Sequence, residues 1–292
     1  MTNQSIKIAM TGASGFVGGN LIKRFKVHNW SVTAIERTDF EQGRDRIREL
    51  LKGAEVVINL AGAPIIGKWT EQYKKVLTES RVNTTRMVVD AMGSVEPRPK
   101  AFISTSAVGI YSDKGTHTEE NCQYADDFLG RLAKQWEAEA LRAEGLSVRT
   151  VIFRFGIVLG SNGGALSQMI PPFRLGLGGT IGDGSQAFSW VHIDDLVNAY
   201  VRAITDNGFS GVYNLTSPNP VTNKELTKAL AEALHRPALF RIPEIALRLK
   251  FGEGAQVLTK GQKVLPERLL KQGFVFSFLD IKTAIQDIVK KT

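Results

Sequence analysis

The sequence predicts an α/β protein: a doubly wound parallel sheet followed by a smaller C-terminal α/β unit. Three observations predict it. The first is a glycine-spaced turn, Thr11-Gly12-Ala13-Ser14-Gly15-Phe16-Val17-Gly18, set between the apolar run Ile6 to Met10 and the amphipathic segment Phe16 to Phe25. The second is the alternation of short apolar runs with helical stretches through the first half, the pattern of parallel βαβ units with right-handed crossovers. The third is a change of composition after Leu159, where the Gly-rich segments Gly160 to Gly164 and Gly176 to Gly184 surround Met169 to Leu175. On this pattern residues 1–165 form the sheet domain, to which 187–220 return, and residues 166–292 form the smaller, substrate-side domain.

The elements follow in order. A strand that ends in glycines and turns directly into a helix aims free backbone N–H groups and a positive dipole end at one point, where a pyrophosphate can sit. Gly12 suits the tight turn, Gly15 the close approach of a dinucleotide, and Gly18 the packing of helix on strand. The spacing is G-x-x-G-x-x-G, so the motif alone is weak, and its place between strand and helix near the N-terminus strengthens it. Ser31 to Ile35 is a second strand. It ends in Glu36-Arg37, about 20 residues beyond the glycines, where an adenosine ribose is read. An acid there favours a 2′-hydroxyl and an arginine a 2′-phosphate, so NADP is expected with NAD as the alternative; Arg37 can equally be a solvated surface charge.

Asp45 to Lys52 reads as a short helix, with any third strand before it abbreviated. Glu55 to Leu60 is a buried strand closing in Asn59-Leu60-Ala61-Gly62, whose small residues let a cofactor lie across the strand end. Thr78 to Met92 is a helix, and Lys100 to Ser104 a strand that delivers Ser104-Thr105-Ser106 to the carboxyl edge, where open parallel sheets bind ligands. A long helix spans about Asp127 to Ala143. Val148 to Phe153 is a strand ending in Arg154. Phe188 to Ile193 reads as a strand running toward Asp194-Asp195, and Gly211 to Leu215 as another. Thr222-Asn223-Lys224-Glu225 has capping-box spacing and opens the helix Lys224 to Leu234. Phe274, Phe276 and Phe278, ahead of a last helix Ile281 to Val289, read as core anchors.

Composition narrows the class. With 43% hydrophobic residues, 292 residues are ample for a packed core. No signal pattern precedes the first strand, and Ala54 to Gly67 is broken by Asn59, Gly62 and Pro64, so a cytoplasmic chain without a membrane span is expected. The net charge of +8 is spread without interleaved aromatics, which weighs against nucleic acid and suits a polyanionic cofactor or acidic substrate. The histidines His28, His117, His192 and His235 show no metal-ligand spacing, and the single Cys122 has no neighbour that makes it a nucleophile. A monomer or homodimer acting on a small molecule is expected.

The glycine loop, the Asn59-to-Gly62 turn, the Ser104-to-Ser106 strand end, the segment Phe188 to Asp195 and the strand Gly211 to Leu215 with Pro218 and Pro220 resemble the extended short-chain dehydrogenase/reductase superfamily, a Rossmann-type fold. Gly163 to Met169, Pro171 to Gly179 and Gly182 to Gln186 resemble a narrower group, the NAD(P)-binding epimerase-family proteins with a small C-terminal domain of their own. The resemblance spans essentially the whole chain. It implies that Gly12, Ser14, Gly15, Phe16, Val17 and Gly18 hold the cofactor, with Glu36, Arg37, Leu60, Ala61, Gly62, Arg81, Ser104 and Arg154 as further contacts and Gln186 and His192 on the substrate side. Ser106 falls where the superfamily keeps a catalytic hydroxyl, although a hydroxyl capping the strand end is an equal reading.

The superfamily's acid/base is a Tyr with a Lys four residues later, because a phenol needs a neighbouring ammonium to ionise at neutral pH. In that frame, anchored on Trp136-Glu137, this chain has Phe128 and Leu132. Arg81 stands in place of a supporting Asn, and Phe188 in place of the Arg that holds a nucleotide sugar. These departures weigh against sugar-nucleotide epimerisation. Tyr111, five residues after Ser106, is the catalytic candidate that remains beside it; Tyr124, Lys134, His192 and Asp194 are further proton carriers. Two functions follow: an NAD(P)-dependent oxidoreductase or epimerase with non-standard acid/base groups, or a non-catalytic sensor or scaffold responding to NADPH.

Overall fold

A computed structural model describes residues 5–292; the first four residues, assigned above to the sheet domain, lie outside the described residues. The central sheet has six parallel strands: β1 (Lys7–Thr11), β2 (Ser31–Ile35), β3 (Val56–Asn59), β4 (Ala101–Ala107), β5 (Arg149–Phe155) and β6 (Gly211–Leu215), in the order β6-β5-β4-β3-β1-β2. The chain steps from β1 outward to β2 and then returns to the other side of β1 for β3. That reversal opens a crevice at the carboxyl ends of β1 and β3.

Side chains alternate strictly across the sheet. Ile8, Met10, Val56, Ile58, Ile103, Val151 and Phe153 face one core with helices α1 (Phe16–Val27) and α8 (Ile193–Thr205), while Ala9, Val57, Phe102 and Ile152 face the other. Between β2 and β3 the chain makes two short helices, α2 (Arg37–Glu41) and α3 (Arg44–Leu51), with no strand between them. The helix expected from Thr78 starts earlier. Helix α4 (Glu71–Thr78) is capped by the Thr70 hydroxyl, then a wider π-type turn, Glu79–Asn83, leads into α5 (Thr84–Met92). Helix α6 (Phe128–Leu141) is capped by Asp127, whose carboxylate accepts from the Gly130 N–H at 3.0 Å.

Beyond β5, three small strand pairs carry helices α7 (Leu166–Arg174), α9 (Asn223–Leu234), α10 (Glu244–Phe251) and the C-terminal helix Ile281–Lys290. The expected strand Phe188 to Ile193 is divided: Ala187–Phe188 pairs with Val221–Thr222, and Trp190–His192 with Ile157–Leu159. The capping box at α9 is formed, with Glu225 N–H donating to the Thr222 hydroxyl at 3.2 Å and Thr222 N–H to the Glu225 carboxylate at 2.6 Å. Leu269, Phe274 and Phe276 lie in the same core as Phe209 and Tyr213, so part of 166–292 packs with the main sheet.

Candidate functional site

The glycine loop begins where Thr11 ends β1. The Thr11 hydroxyl donates to the Asn59 side-chain oxygen at 2.7 Å and accepts the Leu60 and Ala61 N–H groups, both at 3.1 Å, so one side chain sets the turn after β3. Gly12 has φ +68°, and a Cβ there would lie 3.0 Å from the Leu60 backbone. A Cβ on Gly18 would collide with the Gly12 carbonyl and with Ala13. Gly15 opens α1 with no side-chain cap, and no acidic residue stands in the first turn, so the N–H groups of Phe16, Val17 and Gly18 face an uncontested positive helix end. Ser14 and Gly15 are exposed beside them. Phe16 needs a partial correction: its ring fills the space where side chains of Gly160, Gly163 and Gly164 would stand, so only its backbone serves the loop. The Gly-rich stretch after Leu159 is a socket for that ring.

At the ribose end Glu36 starts α2, and its N–H donates to the Asp39 carboxylate at 2.8 Å. That bond, with the Arg46 guanidinium, holds the Asp39 carboxyl below the usual range. The Arg37 side chain is 95% exposed and lies 3.9 Å from Glu41, a separation that leaves its guanidinium available to a phosphate.

Arg81 comes off the π-type turn and lies behind Gly62. Its Nη2 donates to the Ala63 carbonyl at 2.8 Å and its Nη1 to the Leu77 carbonyl at 3.2 Å, while the guanidinium stacks 5.5 Å from the Trp136 ring centroid. Among the described residues it has no carboxylate partner, and burial pushes the guanidinium down to about 10. A Cβ on Gly62 would sit 3.1 Å from Arg81 Cζ, so the glycine keeps the charge close to the turn surface. A wide turn of this kind inside a helix frequently marks a functional position.

Ser106, Tyr111 and Arg154 meet in one buried network. The Ser106 hydroxyl donates to the Glu137 carboxylate at 2.6 Å; Arg154 donates to both Glu137 oxygens at 2.7 and 2.6 Å and to the Tyr111 hydroxyl at 2.6 Å, and Tyr111 in turn donates to the Asn214 side-chain oxygen at 2.7 Å. Arg154 is 4% exposed and spends its guanidinium on Glu137 and Tyr111, a buried ion-pair partner. Tyr111 is fully buried with its hydroxyl bonded to Arg154 and Asn214, and burial pushes its ionisation up. Ser104 is fully buried, and its hydroxyl accepts from Asn59 at 3.4 Å within the sheet. The sequence reading missed Glu137. A carboxylate between Ala133 and Ala140 on the inward face of α6, opposite an arginine at the end of an apolar strand, was the available signal.

The substrate-side candidates are dispersed. The Gln186 amide donates to the Ile181 and Leu258 carbonyls at 3.2 and 3.4 Å, and Phe188 is a core residue. His192 is 1% exposed, caps α8 by accepting the Asp194 N–H at 3.1 Å on Nδ1, stacks on Phe278 at 3.8 Å and turns Nε2 toward Asp287 of the C-terminal helix at 3.3 Å. With Nδ1 accepting, Nε2 carries the proton. In the cluster His192, Asp194 and Asp287, the Lys291 ammonium lies 2.7 Å from Asp287. Tyr124 is 41% exposed and lies against Tyr111, with Lys134 Nζ 5.0 Å from its ring centroid. Phe128 and Leu132 join Trp69, Leu77, Val82 and Trp136 in an apolar cluster.

A doubly wound sheet whose open helix end, glycine turn and exposed Arg37 align at the carboxyl edge defines a dinucleotide-binding class of protein. Comparison with known proteins specifies it. Residues 8–216 match the NAD dependent epimerase/dehydratase family, and residues 242–288 match a domain of unknown function, DUF1731. The chain belongs to that epimerase/dehydratase family. It is 37% identical to the Arabidopsis thaliana epimerase family protein SDR39U1 homolog, chloroplastic, over 97% of this chain and 86% of that one, and 37% identical to the Bacillus subtilis epimerase family protein YfhF over 97% and 98%. Among solved structures it matches human epimerase family protein SDR39U1 (isoform 2) with NADPH at a TM-score of 0.91 and 32% identity, covering 98% of this chain and 100% of that one. UDP-glucuronic acid 4-epimerase of Bacillus cereus, at 18% identity and a TM-score of 0.78, shares the fold. No described helix is long and apolar enough to cross a membrane.

Proposed function

We propose that this chain is an NADP(H)-dependent oxidoreductase or epimerase of the extended short-chain dehydrogenase/reductase type, working without the Tyr-x-x-x-Lys pair. The observation that carries it is the uncapped, acid-free start of α1 at Gly15 together with the 95% exposed Arg37 side chain at the end of β2. The N–H groups of Phe16 to Gly18 bind the pyrophosphate, Arg37 forks onto the 2′-phosphate, and Leu60, Ala61 and Gly62 form the surface under the cofactor. Arg81, an unneutralised charge behind Gly62, adds attraction for its anionic centre. The bound nicotinamide supplies a hydride. Ser106 is 1% exposed and its hydroxyl donates to Glu137, so it acts by holding that carboxylate and the end of β4 in place. The human relative crystallised with NADPH supports the cofactor.

A second reading, a non-catalytic NADPH sensor, is favoured by one observation: Phe128 and Leu132 move no protons and sit in an apolar cluster. Calorimetry and a substrate panel followed at the NADPH absorbance test both. Arg37→Ala is expected to weaken NADPH about 10- to 100-fold, the worth of a charged hydrogen bond, with NADH unchanged. NADH binding tenfold tighter than NADPH to the native protein would overturn the cofactor assignment. Turnover lost in Ser106→Ala supports the enzyme; tight NADPH binding with no turnover across carbonyl and sugar panels supports the sensor.

A further inference from the structure

One carboxylate holds the end of β2 and the start of α2. Asp39 is 7% exposed and both of its oxygens are engaged: Oδ2 accepts the Glu36 N–H at 2.8 Å, and Oδ1 accepts Nε of Arg46 at 2.9 Å. A carboxylate tolerates such burial because it is hydrogen-bonded and paired. Arg46 stands on α3, whose Ile47 and Leu51 are fully buried in the same core as Ala9, Ile35 and Val57 of the sheet. A single side chain thereby ties the strand end, and the turn into α2, to a helix anchored in the core.

Arg37 follows Glu36 directly, and its own side chain does little to fix its place. It is 95% exposed and lies 3.9 Å from Glu41, a surface pair that contributes little order. Where its guanidinium can reach is set by the backbone at residue 37, and that backbone is set by the Asp39 bond to the Glu36 N–H one residue before. Unpaired, the Asp39 carboxylate would also oppose a 2′-phosphate at this turn; the Arg46 guanidinium cancels that charge. The Glu36 bond and Arg46 favour the ionised carboxyl, so the clamp persists at neutral pH.

We propose that Asp39, backed by Arg46, is the positioning residue behind a preference for a 2′-phosphorylated dinucleotide: it touches no ligand and acts by holding Arg37 where the phosphate arrives. The inference rests on the cofactor reading above, in which Arg37 meets that phosphate. Preorganising a binding group removes an ordering cost otherwise met on binding. The gain falls on the phosphate contact alone, so it shows with NADPH and not with NADH.

Calorimetric affinities for NADPH and NADH test it. Asp39→Ala is expected to weaken NADPH about tenfold, the lower end for one charged hydrogen bond, with NADH within about twofold of native. Asp39→Asn keeps an acceptor for the Glu36 N–H and should retain most of the NADPH-to-NADH preference. Arg46→Met leaves the Asp39 charge uncancelled and should weaken NADPH severalfold with NADH unchanged. On an Arg37→Ala background, Asp39→Ala should add less than about twofold, because the group it positions is gone. Equal losses of NADPH and NADH in Asp39→Ala would make Asp39 a helix cap only, and tighter NADPH binding in both Asp39 variants would make it a repelling charge only. A full further loss on the Arg37→Ala background would place its action elsewhere. Each of these overturns the inference and leaves the cofactor reading standing. Should Asp39→Ala not unfold cooperatively, Arg46→Met decides, and an unchanged preference there overturns the inference. NADPH affinity unaffected by Arg37→Ala alone sinks the cofactor reading as well.

Discussion

Glu137 and Arg154 are 8% and 5% exposed at the side chain and bonded by two parallel contacts of 2.7 and 2.6 Å, so neither charge has water to fall back on. Burial works against the Arg154 charge, and the Glu137 carboxylate more than offsets it, holding the guanidinium charged more firmly than usual. Replacing Glu137 by leucine strands that cation and removes the acceptor of the Ser106 hydroxyl. Breaking a buried pair from one side costs about 3–5 kcal/mol, whereas exchanging both partners for apolar residues of similar volume is often near neutral. Glu137→Leu should therefore lower stability by roughly that amount in urea unfolding, and Glu137→Leu with Arg154→Met should recover more than half of the loss. A cost below about 1 kcal/mol for the single variant, or a double variant no better than it, would refute the claim that an uncompensated buried charge dominates.

Three further outcomes follow from the same geometry. Gly18→Ala places a Cβ on the Gly12 carbonyl, so the loop must shift; NADPH affinity measured by calorimetry should fall at least tenfold in protein that still unfolds cooperatively. Gly62→Ala crowds Arg81 at 3.1 Å and should weaken NADPH binding severalfold, with Arg81→Lys on the native background giving a loss of the same sign. Burial holds the His192 pKa below 6.5, against the pull of Asp194 and Asp287 and with Lys291 opposing its charge. The unfolded chain therefore binds the proton first: stability is complete above about pH 6.5 and declines as pH falls toward the folded value. His192→Asn, which keeps a capping acceptor, should flatten that part of the stability profile seen in thermal unfolding.

Local features carried most of the fold into the sequence. The glycine turn and the helix after it depend on residues within one another's reach, as does the Thr222–Glu225 capping box, and the apolar alternation of Ile8, Ala9 and Met10 states the two-faced sheet directly. The site was less legible because its bonds span the chain. Ser106 and Glu137 are separated by 31 positions and Tyr111 and Asn214 by 103, and no periodicity encodes such a pairing. Phe16 read as a loop residue for the same reason: its partners, Gly160 to Gly164, stand far along the chain, and only the fold shows that the glycines exist for its ring.

These separations also bear on the chemistry. In a fold whose usual proton carrier lies at the start of α6, that helix presents Phe128 and Leu132 to an apolar cluster, and its buried carboxylate, Glu137, sits more than two turns beyond Phe128, clamped by Arg154. The hydroxyl at the end of β4 is tied to that clamped carboxylate and not to a phenol and ammonium. Ser106 is 1% exposed, so a change in Glu137 should act on it through position and stability more than through proton supply. A Glu137→Gln variant separates these roles: it keeps the acceptor for Ser106 and half-neutralises the pair. If Glu137 were the proton carrier, any turnover found with NADPH would vanish in this variant across the pH range; as a positioning residue it should instead lower kcat only severalfold, with an unchanged pH profile.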